Sequence, residues 1–312
     1  MSRTIPFFVL DSFTEEPFQG NPAGVFLVGD TPVTDSEMRK LAGEISLESA
    51  FLLPGDSEAM YRVRYFTGVT EVPLCGHATV AALTALVQTN QLALDQTVTL
   101  RTNVGLLTSY LTLDNRANIQ ISLTQNVAEF HEPVSGQITE EIAASLGYYP
   151  HEIGSDHHLL SVQWVNTGTP WIFVPVRLRA VVDASPANLT AVADLSRELS
   201  AYGFYIFTLE SNPGIGVQTW GRCFAPVAGL NEDPVTGSAS GALGCYLVRN
   251  GVLTPRRDDM GNRFATFTAL QGFAGGRGGS VRVSVAVDSD GKMQPTITGN
   301  ATLVAQGNFT LP

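Results

Sequence analysis

The sequence predicts an α+β protein made of two similar halves. Three observations carry that prediction. Short β-rich runs outnumber helical ones along the chain, a nine-residue turn motif recurs once in register, and no Ser/Gly linker or low-complexity stretch divides the 312 residues into unlike parts. The length allows about two domains at roughly 100–200 residues each.

In the first half, Ile5–Leu10, Gly24–Val28, Ser49–Leu53, Tyr61–Phe66, Thr97–Arg101, Leu106–Leu113 and Asn118–Leu123 read as strands. They are short, rich in Val, Ile, Phe and Tyr, and bounded by Gly, Pro, Asp or Asn. In the second half, Leu160–Asn166, Trp171–Val176, Phe204–Glu210, Val217–Phe224, Phe264–Leu270, Gly279–Val287 and Met293–Gly299 continue the style, and His157-His158 reads as the start of a strand. Helices are fewer. Asp35–Ile45 sets Met38, Leu41, Ala42 and Ile45 on one face. Thr139–Leu146 follows a Thr–Glu capping pattern, and Asn188–Leu199, His77–Gln88 and Ser238–Arg249 complete the set. Strand signals stop and helical ones resume across Gln125–Pro133, so the halves are expected at residues 1–127 and 128–299.

The repeat places Glu71-Val-Pro-Leu-Cys-Gly-His-Ala-Thr79 against Glu232-Asp-Pro-Val-Thr-Gly-Ser-Ala-Ser240, an offset of 161 residues. The helices that follow align as well: Ala78, Ala81, Ala82, Ala85 and Leu86 match Ala239, Ala242, Leu243, Tyr246 and Leu247. Each helix runs toward a residue that tolerates positive φ, Asn90 or Gly251. Upstream, Arg64-Tyr-Phe66 resembles Arg222-Cys-Phe224. A duplicated β-turn-helix unit implies two domains about a pseudo-twofold axis, with two helix N-termini expected to converge on one cleft. Helix N-termini present backbone N–H groups and positive dipole ends, which suit a carboxylate or a developing enolate without a metal.

Composition narrows the ligand class. The formal net charge is −11, charged residues make up only 15%, and lysine occurs only at Lys40 and Lys292. An acidic chain with no Lys/Arg cluster is a poor partner for nucleic acid or anionic lipid. No apolar run reaches the roughly 18–20 residues of a membrane span. Three cysteines, Cys75, Cys223 and Cys245, are too few for a disulfide framework and fit a reducing, cytoplasmic setting.

Five side chains near the turns can carry chemistry. Cys75 stands at a helix N-terminus that favours a thiolate, although a small buried residue would fit there equally. His77 follows in the first turn. Asp233 and Ser238 flank the second turn, where they also suit capping. Glu48, in Ile45-Ser-Leu-Glu-Ser-Ala-Phe-Leu52, precedes an apolar strand; either it is an edge charge, or Leu47, Phe51 and Leu52 desolvate it and raise its pKa toward that of a working acid or base. A two-thiol racemase would need cysteine in both copies, and Thr236 stands where the second is required. Gly272-Phe-Ala-Gly-Gly-Arg-Gly-Gly279 opens no helix and reads as a loop, with Arg277 a candidate anion contact.

Taken together, Phe18-Gln-Gly-Asn-Pro-Ala-Gly-Val25, Glu48-Ser-Ala-Phe51, Arg64-Tyr-Phe66, Cys75-Gly-His-Ala-Thr79, Arg222-Cys-Phe-Ala-Pro226, Glu232-Asp-Pro-Val-Thr-Gly-Ser-Ala239 and Gln271-Gly…Gly276-Arg277 resemble the phenazine-biosynthesis PhzF-like family, in order and over nearly the whole chain. The resemblance implies the diaminopimelate epimerase-like fold, two domains each with a curved, mostly antiparallel sheet around a central helix, and a C-terminal strand, 300–312, that returns to the first domain. It implies a cofactor-independent and metal-independent isomerase of secondary metabolism, working as a homodimer on a small carboxylate. The family's best-understood reaction isomerises trans-2,3-dihydro-3-hydroxyanthranilate. Carried over, Glu48 matches the acid/base glutamate, and His77 and Asp233 match substrate-contacting positions in the first and second turn, counted with Glu48 as catalytic residues. Gly76, Gly237, Ser238 and Cys75 fall at substrate-contacting positions, although Cys75 is not a requirement of the family. Ile45-Ser-Leu departs from the family's Asn-x-Ser ahead of the glutamate, which leaves the substrate open. An amino-acid racemase or epimerase using Cys75, and a non-catalytic carboxylate-binding protein, stay as alternatives.

Overall fold

The computed structural model describes residues 2–212 and 216–311. The chain forms two compact units, Met1–Thr124 with Thr298–Pro312, and Gln125–Ile297.

Unit one contains β1 (Arg3–Ser12), β2 (Asn21–Leu27), α1 (Asp35–Ile45), β3 (Ser49–Pro54), β4 (Tyr61–Phe66), β5 (Glu71–Val72), α2 (Gly76–Gln88), β6 (Gln96–Thr102), β7 (Gly105–Leu113), β8 (Ile119–Thr124) and the C-terminal strand Ala301–Leu311. β1 lies antiparallel to both the C-terminal strand and β2. β2 and β3 are parallel, joined through α1, and β3 and β4 are antiparallel. β4 and β6 are parallel, joined through α2, and β6, β7 and β8 run on as an antiparallel meander.

Burial explains this layering. Every residue of α2 from His77 to Leu86 is buried, the mark of a helix with no solvent face. It contacts β1, β2, β3, β8 and the C-terminal strand, so the sheet curves around it. β2 and β3 are buried on both sides for the same reason. Their other face meets α1, whose Met38, Leu41 and Ala42 pack on Ile5, Phe26, Phe51, Phe66 and Leu311. There Phe26 and Phe51 stack with centroids 4.6 Å apart, and Phe66 meets Phe51 edge-on at 5.5 Å. α1 opens with a reciprocal capping box between Thr34 and Glu37.

Unit two contains β9 (Glu129–Phe130), α3 (Gly136–Leu146), β10 (Gln163–Asn166), β11 (Pro170–Pro175), α4 (Arg179–Ala184), α5 (Leu189–Glu198), β12 (Gly203–Asn212), β13 (Gly216–Ala225), β14 (Leu230–Asp233), α6 (Gly237–Arg249), β15 (Arg256–Arg257), β16 (Arg263–Gln271), β17 (Gly279–Val287) and all but the last two residues of β18 (Met293–Gly299). Its pairing directions repeat those of unit one: β10 antiparallel to β11, β11 parallel to β12, β12 antiparallel to β13, β13 parallel to β16, and β16 antiparallel to β17. α6 takes the place of α2, buried from Ala239 to Leu247 and contacting β10, β11, β16 and β17. On the opposite face, Ile142, Val182 and Val192 from α3, α4 and α5 pack on Trp164, Ile172, Phe204 and Phe224.

Several local expectations are corrected. α3 begins at Gly136 with Ser135 as its cap, because the Ser135 hydroxyl accepts the Ile138 N–H. His157 and His158 lie in a bend, and the strand starts only at Gln163. α4 was not anticipated; it is too short for helical periodicity to register.

Candidate active site

Glu48 owes its position to the way α1 ends. Ser46 adopts left-handed backbone (φ 55°), and its N–H returns to Ala42 and Gly43. The chain therefore reverses within three residues. The Glu48 carbonyl then accepts the Gly24 N–H (3.0 Å), and β3 begins at Ser49.

Cys75 and His77 owe theirs to the start of α2. Cys75 is the N-cap residue, extended at φ −138° and ψ 110°, and its side chain makes no capping bond. Its carbonyl accepts the Thr79 hydroxyl (2.7 Å), which itself meets the buried Tyr65 hydroxyl (2.6 Å). The His77 carbonyl accepts the Ser12 hydroxyl (2.7 Å). The backbone on each side of Gly76 is thus held by β1 and by the first turn of the helix.

Three functional groups meet in unit one. Glu48 Oε2 lies 3.6 Å from His77 Nε2 and 3.8 Å from Cys75 Sγ. Sγ lies 3.5 Å from His77 Nδ1 and 3.7 Å from Nε2. The Cys75 and His77 side chains are buried, and Glu48 is 19% exposed. Burial pushes the Glu48 pKa up, only partly offset by the thiol donating to the carboxylate. Phe51, one of the apolar neighbours proposed for it, packs into the α1 cluster. An added Cβ on Gly76 would meet nothing within 4 Å, so the amide between Cys75 and His77 has room in front of it.

Unit two builds the matching turn with different side chains. Asp233 is buried at the end of β14 and accepts the Thr236 hydroxyl (2.6 Å). Thr236 is the N-cap of α6, again with no side-chain cap. Gly237 and Ser238 open the helix, and the Ser240 hydroxyl donates to the Thr236 carbonyl (2.8 Å), as Thr79 does to Cys75. The flanking ion pairs repeat too. Arg64 grips Glu71 with two nitrogens at 2.8 and 2.7 Å, and Arg222 grips Glu232 at 2.8 and 2.9 Å. Each guanidinium lies over a phenylalanine, Phe66 at 5.0 Å and Phe224 at 4.9 Å. One exchange breaks the correspondence. Tyr65 on β4 faces Ala50 on β3, whereas in unit two the tyrosine is Tyr205 on β12, facing Cys223 on β13.

Two residues near the second turn escaped the sequence reading as site residues. Gln271 accepts the Thr236 N–H (3.0 Å) and donates to the Asp233 carbonyl (2.6 Å) and the Thr236 hydroxyl (3.0 Å). Gln125 donates to the Gly237 carbonyl (3.0 Å) and accepts the Thr167 hydroxyl (2.6 Å). The only hint was the Gln271-Gly pair ahead of the glycine-rich loop. The remaining thiols stand apart from this chemistry: burial pushes Cys223 well up, and Cys245 up to about 12.

Known proteins agree with this architecture. The family described as phenazine biosynthesis-like protein matches residues 10–307. An uncharacterized isomerase of Clostridium acetobutylicum is 34% identical over 313 residues, covering all of both chains. The crystal structure of a Bacillus anthracis phenazine biosynthesis protein of the PhzF family superposes with a TM-score of 0.85 at 28% identity, over 99% of each chain. A hydroxyproline epimerase of Agrobacterium vitis shares the fold more distantly, with a TM-score of 0.62 at 15% identity over 99% of this chain and 92% of its own. The chain therefore belongs to the phenazine biosynthesis-like (PhzF) family, as an isomerase-like member with the diaminopimelate epimerase-like fold.

Proposed function

We propose that the protein isomerises a small carboxylate-bearing substrate by moving a proton between two of its carbons, with Glu48 as the acid/base. The observation that carries this reading is a largely buried carboxyl group with a raised pKa beside a helix N-terminus whose cap residue, Cys75, makes no side-chain capping bond. A group tuned toward neutral pH both takes and returns a proton efficiently. First-turn amides at Gly76 hold the substrate carboxylate and take up charge as the C–H bond breaks. The proton leaves one carbon for Glu48 and returns to another. Nothing is oxidised and no water is consumed, so the chemistry itself requires no cofactor. His77, with Nε2 3.6 Å from the carboxylate, is assigned a place beside it in the reaction. Asp233, Gly237 and Ser238 are assigned the equivalent part at the second turn, and Cys75 is assigned a substrate contact. Cyclic dienes of the dihydro-hydroxyanthranilate type are the substrates to try first.

A second reading, racemisation with Cys75 as one base, draws on the 3.8 Å contact between its thiol and Glu48. The second turn opposes it, since Thr236 supplies a hydroxyl already donated to Asp233. Incubating the protein with small cyclic and amino carboxylates in heavy water separates the two. Deuterium at a rearranged carbon, retained in Cys75→Ala, is expected; inversion at Cα that vanishes in Cys75→Ala would establish the racemase instead. Gly76→Ala offers an independent check. The added methyl meets no protein atom within 4 Å, so the melting temperature should hold while turnover falls at least about tenfold, equivalent to roughly 1.4 kcal/mol. Full turnover in that variant would remove the amide from the mechanism.

A further inference from the structure

The second turn carries a hydrogen-bond relay that the first turn lacks. Gln271, the last residue of β16, is 1% exposed, and its whole amide is engaged. Oε1 accepts the Thr236 N–H (3.0 Å), and Nε2 sends one hydrogen to the Asp233 carbonyl (2.6 Å) and the other to the Thr236 hydroxyl (3.0 Å). A flipped amide would set oxygen against a carbonyl and nitrogen against an N–H, so these contacts fix its orientation. The Thr236 oxygen is therefore an acceptor toward Gln271, and its own hydrogen goes to Asp233 Oδ2, 2.6 Å away. We propose that Gln271 is a positioning residue: through the Thr236 hydroxyl it aims a donor at Asp233 and holds that side chain as an ionised acceptor, leaving proton transfer to Glu48. Its place in the reaction rests on the proposed function, whereas the relay itself does not.

The repeat separates this part from simple support of a turn. Arg62 pairs with Arg101 as Trp220 pairs with Leu270, so Thr102, the last residue of β6, stands where Gln271 stands. Its hydroxyl donates to the Gly105 carbonyl (2.9 Å) and accepts the Val104 N–H (3.2 Å), both within its own loop. α2 thus starts without a strand amide behind its cap residue, and the Cys75 thiol reaches Glu48 instead. The amide of Gln271 is additional to what such a turn requires. Gly272 then secures it: φ is 84°, and an added Cβ would run into the Pro234 and Arg277 carbonyls, so the glycine-rich loop is seated on the second turn. Within unit two, the titratable groups facing Asp233 are Cys223, opposite it on β13, and Tyr205, opposite Cys223 on β12. Burial pushes both upward, so both stay neutral where aspartate titrates. Cys223 also meets the Thr236 hydroxyl, but a thiol sulfur is a weak acceptor beside a carboxylate. Glu232, the neighbour of Asp233, is paired with Arg222, and the first turn of α6 holds no acidic residue.

The relay can be read without a substrate, by nuclear magnetic resonance of the whole protein carrying carboxyl-labelled aspartate, with the Asp233 signal assigned through Asp233→Asn. A donor aimed at a carboxylate favours its ionised form, so Thr236→Val should make Asp233 titrate about one pH unit higher than in the parent. Gln271→Met should move the midpoint in the same direction, and Thr236→Ser, which keeps the hydroxyl, should leave it in place. Adding Gln271→Met to Thr236→Val should move it no further, because Gln271 acts through that hydroxyl. Circular dichroism checks each fold. Where Gln271→Met does not fold, Gln271→Glu takes its place: protonated in acid, it keeps both backbone bonds and lacks the hydrogen for Thr236. An unmoved midpoint in the Gln271 variant, or shifts that add in the double variant, would overturn the relay. Deuterium exchange into small cyclic carboxylates is read separately. Unchanged exchange in a variant whose midpoint has moved would overturn the part of Gln271 in the reaction. No exchange in the parent would count against the proposed function and leave the midpoints to decide the relay.

Discussion

Glu48→Gln is expected to slow substrate-dependent deuterium exchange by about 10²–10⁴-fold, the usual contribution of a positioned acid/base, and to do so in a protein more stable than its parent. Below the ordinary glutamate pKa of about 4.3, the carboxyl is protonated in both the folded and unfolded chain, and the native state carries no charge penalty. Burial raises the folded value above the unfolded one. As pH rises through that folded value, the native protein must ionise a desolvated group, and stability is lost. Glutamine never ionises. The urea midpoints of the two proteins should therefore coincide in acid and separate toward neutral pH, with the variant higher. A variant less stable than its parent at neutral pH would mean that the carboxylate is held by favourable contacts, and the argument for a tuned base would fall. Gain of stability with loss of turnover is the usual signature of a residue kept for function.

The largest expected loss of stability lies in unit two. Arg222 does more than pair with Glu232. Its Nη1 also donates to the carbonyls of Val182, Asp183 and Ser185, at 3.2, 3.2 and 3.1 Å, at the end of α4. A six-residue helix has few bonds of its own and depends on such a cap. Arg222→Met removes the cation from a mostly buried pair, leaves Glu232 uncompensated and takes a donor from three carbonyls, of which Val182 keeps the Ser185 N–H. We expect a loss of about 3–5 kcal/mol, read from urea unfolding with the slope unchanged. Arg64→Met is the internal control. Arg64 pairs with Glu71 and with Asp35, which is 64% exposed, and among the described residues its side chain donates to carboxylates rather than to carbonyls. It should lose less than half as much. Equal losses in the two variants would show that the carbonyl bonds of Arg222 contribute nothing.

The difference between what was legible and what was not follows from distance along the chain. The two central helices and Asp35–Ile45 could be read from spacing, because their buried stripes are local. The turn motif could be read because it occurs twice. Glu48, Cys75 and His77 could be named from the sequence, but their meeting could not. Glu48 is 27 residues from Cys75 in sequence, and their approach depends on a left-handed residue at Ser46 and on parallel pairing of β2 with β3. α4 was invisible because the arginine that secures it arrives about 40 residues later. Gln271 was invisible because a buried glutamine on a strand carries no periodic signal until its partners on the turn are known.

The exchanged tyrosines have a consequence for the history of the duplication. Tyr65 and Tyr205 are both fully buried, yet they hang from opposite members of equivalent strand pairs, facing Ala50 in one unit and Cys223 in the other. A large side chain cannot migrate from one strand to its neighbour in a single substitution without passing through a doubled or a vacant interior. The two copies are now locked to their own partners. Grafting β4 of one unit into the other would set two rings, or none, into space built for one, whereas grafting β3 and β4 together would carry the compensation along. Recombination between the halves is thereby closed at the level of single strands and left open at the level of the hairpin.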